Sequence, residues 1–164
     1  MQSEFLTHPF PPVFDENSRI LILGSFPSAA SRQAGFYYGH PQNRFWRVIA
    51  AVTGEDTPAG IPQKRELLLK HGIALWDSVQ SCEIAGSSDA SIRGANANDI
   101  PALLSGTHIA RVFCNGRTSW NCYNRFILPQ TGIKAEALPS TSAANASWSL
   151  ERLIAAWQVI LQEE

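Results

Sequence analysis

Four short apolar runs punctuate the chain. Arg19–Gly24 (RILILG), Ile73–Val79 (IALWDSV), Ile109–Cys114 (IARVFC) and Ile133–Leu138 (IKAEAL) each have the length of a strand. Between them, apolar residues return at helical spacing. Phe45, Trp46, Ile49, Ala50 and Val52 lie on one face of a helix predicted over Asn43–Thr53. A second helix is predicted from Pro62, a first-turn proline, to Lys70, just before Gly72. Shorter helices are expected over Asp99–Ser105 and Thr118–Ile127. The last helix carries Leu150, Leu153, Ile154, Trp157 and Leu161 on one stripe, with Ser147 as its expected cap.

Two stretches follow neither period. Residues 1–18, holding Pro9, Pro11 and Pro12, are expected to form an extended arm. Gln80–Asn98 is rich in Ser, Gly, Ala and Asn and reads as a long loop, of the kind that in a compact domain is usually functional or mobile. Strands alternating with helices imply an α/β fold, a three-layer α/β/α sandwich around a central four-stranded parallel sheet. The length suits one domain spanning residues 1–164. In such sheets ligands bind outside the carboxyl ends of the strands. Here those ends are the loops that begin at Gly24, near Asp77, at Asn115 and at Pro139.

Composition narrows the class. Hydrophobic residues make up 45% and charged ones 16%, which excludes wholesale disorder. No apolar run reaches membrane-spanning length, and the first residues lack a basic region followed by an apolar core, so a cytoplasmic protein is expected. Cys82, Cys114 and Cys122 are odd in number and widely spaced, which does not suggest a disulfide framework. Histidines 8, 40, 71 and 108 are scattered singly, so no metal site is expected. The net charge of −1 hides an asymmetry: Asn17–Gly54 and Ile100–Ala135 contain no acid. The first window holds Arg19, Arg32, Arg44 and Arg47, the second Arg111, Arg117, Arg125 and Lys134. If the two windows share a face, that face can meet phosphates; otherwise the charges are scatter.

Several motifs offer chemistry. GSFPS at Gly24–Ser28 lacks the second glycine of a nucleophile elbow, and it lacks the lysine of a phosphate loop. It reads as a strand-exit turn whose N–H groups face the crevice, with Ser25 as nucleophile a weak alternative. LPSTSAAN at Leu138–Asn145 suits phosphate binding ahead of a helix, or ordinary capping. Asp77 and Asn115 close strands, where they can contact a ligand or tie down loop backbone. The densest stretch is GFYYGHPQNRFW, Gly35–Trp46. Pro41 disfavours helix at His40, which puts Asn43 near a helix start with Phe45 and Trp46 buried beneath it. Asn43 then faces the crevice or simply caps the helix. Tyr37 and Tyr38 precede it, on a loop where a flat ligand can stack.

GSFPS, FYYGHPQNRFW and LPSTS together resemble the motifs of the uracil-DNA glycosylase superfamily, and most closely its hypoxanthine-DNA (deoxyinosine) glycosylase branch. The resemblance runs from Arg19 to the last helix. Phe26 stands where the first motif usually has asparagine or aspartate, and Leu138 where the last motif opens with histidine or asparagine. The resemblance implies that the catalytic role has moved to Asn43, with Tyr38 stacking on the extruded base. Phe26, Ser25 and Asn115 are expected around that base, with Asp77 added from its place at a strand end; Ser140, Ser142 and Asn145 are expected toward the DNA backbone, with Arg32 and Arg117 chosen from the acid-free windows because they lie in loops beside the rim. The implied protein is a monomeric, monofunctional glycosylase of base-excision repair, without metal or cofactor. Its implied substrate is double-stranded DNA carrying a deaminated base, hypoxanthine first and uracil second. The alternatives are a uracil or mismatch-uracil/thymine glycosylase and a catalytically inactive nucleic-acid-binding module.

Overall fold

A computed structural model describes residues 4–84 and 93–162. In chain order they form β1 (Glu4–Thr7), β2 (Ile20–Gly24), α1 (Ala29–Ala34), α2 (Phe45–Thr53), α3 (Ile61–Lys70) and β3 (Ile73–Asp77). Then come β4 (Val79–Ile84), β5 (Arg93–Ala97), α4 (Ile100–Ser105), β6 (Arg111–Asn115), α5 (Arg117–Cys122), α6 (Leu128–Thr131), β7 (Ala135–Leu138) and α7 (Leu150–Trp157). A π-helical turn, Tyr123–Ile127, joins α5 to α6, and a 3-10 turn, Gln158–Leu161, follows α7.

The period-two alternation of the apolar runs builds the predicted sandwich. Strands β3-β2-β6-β7, in that order, form a four-stranded sheet with every pair parallel. Ile20 and Ile22 of β2 point to one face, where they join Phe45 and Ile49 of α2, Leu68 of α3 and Trp157 of α7. Leu21 and Leu23 point to the other, where Leu103 and Leu104 of α4 and Tyr123 cover them. Phe45 and Trp157 are completely buried, and truncating such a ring typically costs about 3–5 kcal/mol.

The arm and the long loop are more ordered than expected. Residues 4–7 pair antiparallel with β4, and β4 pairs with β5, giving a second sheet in the order β1-β4-β5. Polar, glycine-containing sequence concealed these strands, because the apolar cluster of this small sheet is limited to Val79, Cys82 and Ile84 of β4 with Phe26 and a few partly buried neighbours. The middle of the expected Gln80–Asn98 loop, residues 85–92, lies outside the described residues, as do residues 1–3 of the arm. The run Ile73–Val79 is not one strand. It leaves the parallel sheet at Ser78, whose N–H donates to Gly24 C=O at 2.8 Å, and Val79 N–H donates to Ser25 C=O at 3.0 Å.

Three helical expectations also change. Ser149, not Ser147, caps α7, its hydroxyl accepting from Arg152 N–H at 3.2 Å. The helix expected over Thr118–Ile127 slips to π geometry after Cys122, with Leu128 N–H reaching Tyr123 C=O. Pro129 follows and has no N–H with which to continue α-helical bonding. The polar stretch after Gly24 holds a short helix, α1, capped by Ser28.

Candidate active site

The carboxyl ends of β2, β3 and β6 and the loop after β7 meet at one cavity of about 120 Å³. A cavity of about 150 Å³ accepts a single benzene ring, so this one is on the scale of one small heterocycle. The turn Gly24–Ser28, Tyr38, Asn43, Asp77, Asn115 and Ser140–Ser142 line it. Every expected base-contacting residue is thus brought together, and so are two of the residues expected at the DNA backbone.

Asn43 sits two residues before Phe45, and its Oδ1 accepts the Phe45 N–H at 2.9 Å. The capping alternative is therefore realised, and a backbone donor fixes which end of the amide is oxygen. The same Oδ1 also accepts the Thr141 hydroxyl at 2.8 Å. Both lone pairs are used. The amide NH2 is the part of Asn43 that remains for a ligand, with no partner among the described residues. Thr141 is held in turn by Asn115, which donates from Nδ2 to Thr141 Oγ1 and accepts Thr141 N–H at Oδ1, each at 3.0 Å. Asn115, Thr141 and Asn43 form one chain of hydrogen bonds with a single direction, and that direction locks the Asn43 amide.

Arg44 does not face phosphate. Its guanidinium donates to four backbone carbonyls of the loop after β7: Thr141 at 3.4 Å, Ser142 at 3.0 Å, Asn145 at 3.2 Å, and Trp148. Its own N–H donates to Thr141 C=O at 3.0 Å. A planar fork with five N–H donors suits such a task, and a lysine ammonium does not. The HPQNR segment is thereby explained: Asn43 and Arg44 are polar because both bind the loop that closes the cavity, while Phe45 and Trp46 anchor them from below.

Asp77 lies at the end of β3 with 3% exposure, in register with Gly24 of β2. A Cβ on Gly24 would stand 2.3 Å from Asp77 Oδ1 and 2.9 Å from the Tyr38 hydroxyl oxygen, so only glycine lets these groups close on the strand end. Asp77 Oδ2 accepts from His8 Nε2 at 2.7 Å. His8 follows β1, and its Nδ1 contacts the Phe10 backbone. Tyr38 has a φ of 54°, a left-handed conformation that a non-glycine residue adopts at a cost of about 1–2 kcal/mol. It stacks on Phe45 with ring centroids 4.0 Å apart.

Tyr37 and Cys114 are held in their neutral forms. Burial pushes the Tyr37 phenol upward, with the Asp77 charge adding to the effect, and its hydroxyl donates to Pro11 C=O at 2.9 Å. Tyr37 is therefore a neutral wall. Burial likewise pushes the Cys114 thiol up to about 12, so no thiolate is available there. Ser25 and Phe26 are buried in the cavity wall. Both nitrogens of His8 are engaged, with the Phe10 backbone and with Asp77, so His8 does not serve Ser25 as a base; His40 also lines the cavity, its Nδ1 accepting Gln42 N–H at 3.1 Å.

The residues expected at the DNA backbone divide. Ser140 and Ser142 line the cavity, but their hydroxyls also accept N–H groups of their own loop, Ser142 N–H and Ala144 N–H. Asn145 donates to Ser140 C=O at 3.0 Å. The loop is held by its own turns and by Arg44; α7 starts later, at Leu150, so these hydroxyls do not sit at its N-terminus. Arg32 donates to Pro27 C=O at 2.8 Å beside the entry turn, and Arg117 opens α5 just past Asn115. The acid-free windows do not form one surface: Arg19 and Arg111 stand at the amino ends of β2 and β6, across the sheet from the cavity.

Thr141 and His8 are among the residues of the site that were not anticipated, as are His40 and Ser31 of the cavity lining. Thr141 stands inside the LPSTS motif between two hydroxyl residues, and nothing in its spacing marks it as the buried one. His8 lay in a stretch read as an arm, and only the pairing of β1 with β4 carries it to Asp77.

The model of the uracil DNA glycosylase superfamily matches residues 11–161. A protein of Methanosarcina acetivorans named hypoxanthine DNA glycosylase is 39% identical over 145 residues, covering 87% of this chain and 90% of that one. A protein of the same name from Methanosarcina barkeri is 38% identical over 138 residues, covering 83% of this chain and 86% of its own. Among solved structures, a Methanosarcina acetivorans protein provisionally described as a uracil DNA glycosylase superposes with a TM-score of 0.82 at 33% identity. That match covers 96% of this chain and 97% of the other.

Proposed function

The chain belongs to the uracil DNA glycosylase superfamily, and from that premise we propose that it is a monofunctional DNA glycosylase that hydrolyses the N-glycosidic bond of deaminated bases, hypoxanthine first and uracil second. The observation that carries this reading is the locked amide of Asn43 beside Tyr38 and Asp77 in one cavity at the strand ends. The names of the relatives support the choice of hypoxanthine. The whole chain acts as one domain and as a monomer. Among the described residues there is no group of three or more His, Cys, Asp or Glu placed to hold a metal ion.

The base has to leave the duplex, at a cost of a few kcal/mol that is least for a mispaired base. Inside the cavity, Tyr38 offers a ring backed by Phe45, and Phe26 forms a second apolar wall. Cleavage passes through an oxocarbenium-like sugar, so water needs a position more than a strong base. The Asn43 NH2 donates to one lone pair of that water and leaves the other for C1′; as the C1′–O bond forms and the C1′–N bond breaks, the base leaves with the bonding electrons and the proton shed by the water neutralises the charge it carries away. Because Asn43 Oδ1 is occupied, the amide holds water as donor, not as acceptor. Backbone N–H groups of the Gly24–Ser28 turn stabilise the departing base as it takes up electrons. Asp77 supplies an acceptor for the base, and Asn115 keeps Thr141, and through it Asn43, in place.

The direct test is a nicking assay. Labelled duplexes carrying one hypoxanthine, uracil, xanthine or thymine mismatch are incubated with the protein and then treated with alkali. Cleavage at hypoxanthine above uracil is expected; binding without any base release would leave only the inactive binding module.

Two further outcomes are expected. Tyr38→Ala should raise KM by about 5- to 100-fold, the equivalent of about 1–3 kcal/mol of stacking, while Tyr38→Phe stays close to wild type. Equal losses from both would assign the role to the hydroxyl. Arg32 and Arg117 are the proposed phosphate contacts, along with Ser140, Ser142 and Asn145 of the loop. Replacing either arginine by alanine should flatten the slope of log K against log salt by roughly 0.9 and weaken all duplexes alike. An unchanged slope in both variants would remove them from the interface.

A further inference from the structure

The pairing of β1 with β4 has no obvious purpose in a fold whose main sheet is complete without it. What it does is deliver one side chain. His8 is 2% exposed at its side chain, and its ring is bracketed by Phe10, Phe26 and Tyr37 at centroid distances of 5.6 to 5.9 Å. Its Nδ1 is tied to the Phe10 backbone, so the ring cannot turn. Nε2 is thereby fixed on Asp77 Oδ2, and the carboxylate cannot rotate either. Asp77 Oδ1 is left. It belongs to a side chain that is 5% exposed and lines the cavity, where a donor on a ligand can reach it.

We propose that His8 is a specificity-determining positioning residue: by holding Asp77 Oδ2, it fixes Oδ1 as an acceptor for the ring N–H that deamination installs on a base. The inference rests on the glycosylase reading above and deepens it. Deamination of adenine converts N1 from a lone-pair acceptor into an N–H donor, and deamination of cytosine does the same at N3. A fixed carboxylate oxygen pairs with the product and repels the parent. A side-chain amide at position 77 lacks this selectivity, since it can present either its oxygen or its NH2. Sites built to bond a polar hydrogen reject analogues lacking it far more strongly than sites that read shape alone.

The experiment compares wild type with His8→Ala, His8→Gln and Asp77→Asn. It measures kcat/KM for duplexes carrying hypoxanthine or adenine opposite thymine, and the affinity for free hypoxanthine and free adenine. Thermal midpoints are recorded for each protein. The hypoxanthine-to-adenine ratio should fall at least tenfold in His8→Ala and Asp77→Asn, chiefly through weaker hypoxanthine binding. His8→Gln, which can still donate to Oδ2, should recover most of it. If His8→Ala does not fold, the other two variants and the free-base affinities decide the matter. An unchanged ratio, with both bases losing equally, would make His8 a packing residue and overturn the proposal while leaving the glycosylase reading intact. Wild-type protein that neither releases nor binds hypoxanthine would overturn both.

Discussion

Asn43→Asp is expected to abolish base release without unfolding the protein. The carboxylate keeps an oxygen where Oδ1 stands, so the Phe45 N–H and the Thr141 hydroxyl both remain paired. Only the NH2 group is lost. If that group holds the water, kcat should fall by about 10²–10³-fold, the usual effect of deleting one preorganised donor. Asn43→Ala removes the donor and the cap together. Losing a cap costs about 1 kcal/mol, which in a domain of this size lowers the thermal midpoint by about 2–4 °C. The pair separates catalysis from capping. Should Asn43→Asp turn over hypoxanthine at the wild-type rate, Asn43 is a cap alone, and the water must be held elsewhere in the cavity.

Arg44→Ala is expected to damage both stability and catalysis. The wild-type guanidinium serves four carbonyls, and each left without a donor and shielded from water costs about 1–3 kcal/mol. Partial solvation of the loosened loop reduces the sum, so a loss of about 2–4 kcal/mol is expected. The loop also carries Thr141, whose hydroxyl donates to Asn43 Oδ1 and so orients that amide. Release of that loop should lower kcat by about 10²-fold, since small misplacements of positioned groups have effects of that size. Arg44→Lys should recover little, because an ammonium cannot span four acceptors. Denaturant unfolding and single-turnover kinetics on the same variants test this. Wild-type kcat in Arg44→Ala would show that the loop keeps its shape without the guanidinium.

The parallel sheet was legible because β2, β3 and β6 are apolar runs whose alternate residues serve two buried faces. The antiparallel sheet was not. Its strands are half exposed and polar, and Arg93–Ala97 reads RGANA, which no period distinguishes from a loop. The site divides along a similar line. Asn43, Tyr38, Asp77 and Asn115 could be named because strand ends and the HPQN segment locate them in sequence. What Asn43 does with each of its two atoms could not, since that depends on Thr141, 98 positions away. The acid-free windows misled for a related reason: a count of arginines does not register that Arg44 is consumed inside the protein, or that Arg19 and Arg111 stand at the far end of the sheet.

The bonds that fix the polar atoms of the cavity join residues distant in sequence: 69 positions for His8 and Asp77, 98 for Thr141 and Asn43, 104 for Arg44 and Trp148. Contacts of such long range form slowly, because closing a large loop precedes any reward from the contact. During synthesis the parallel pair β2 and β3 and the aromatic helix α2 can assemble while the loop that completes the cavity has yet to emerge. Such an intermediate has a core but no aligned amide, and so no means of cutting a glycosidic bond. In refolding, activity should therefore return as the slowest signal, after intrinsic tryptophan fluorescence and secondary structure. An enzyme that removes bases from a genome is in this way silent until its chain has been read almost to the final helix.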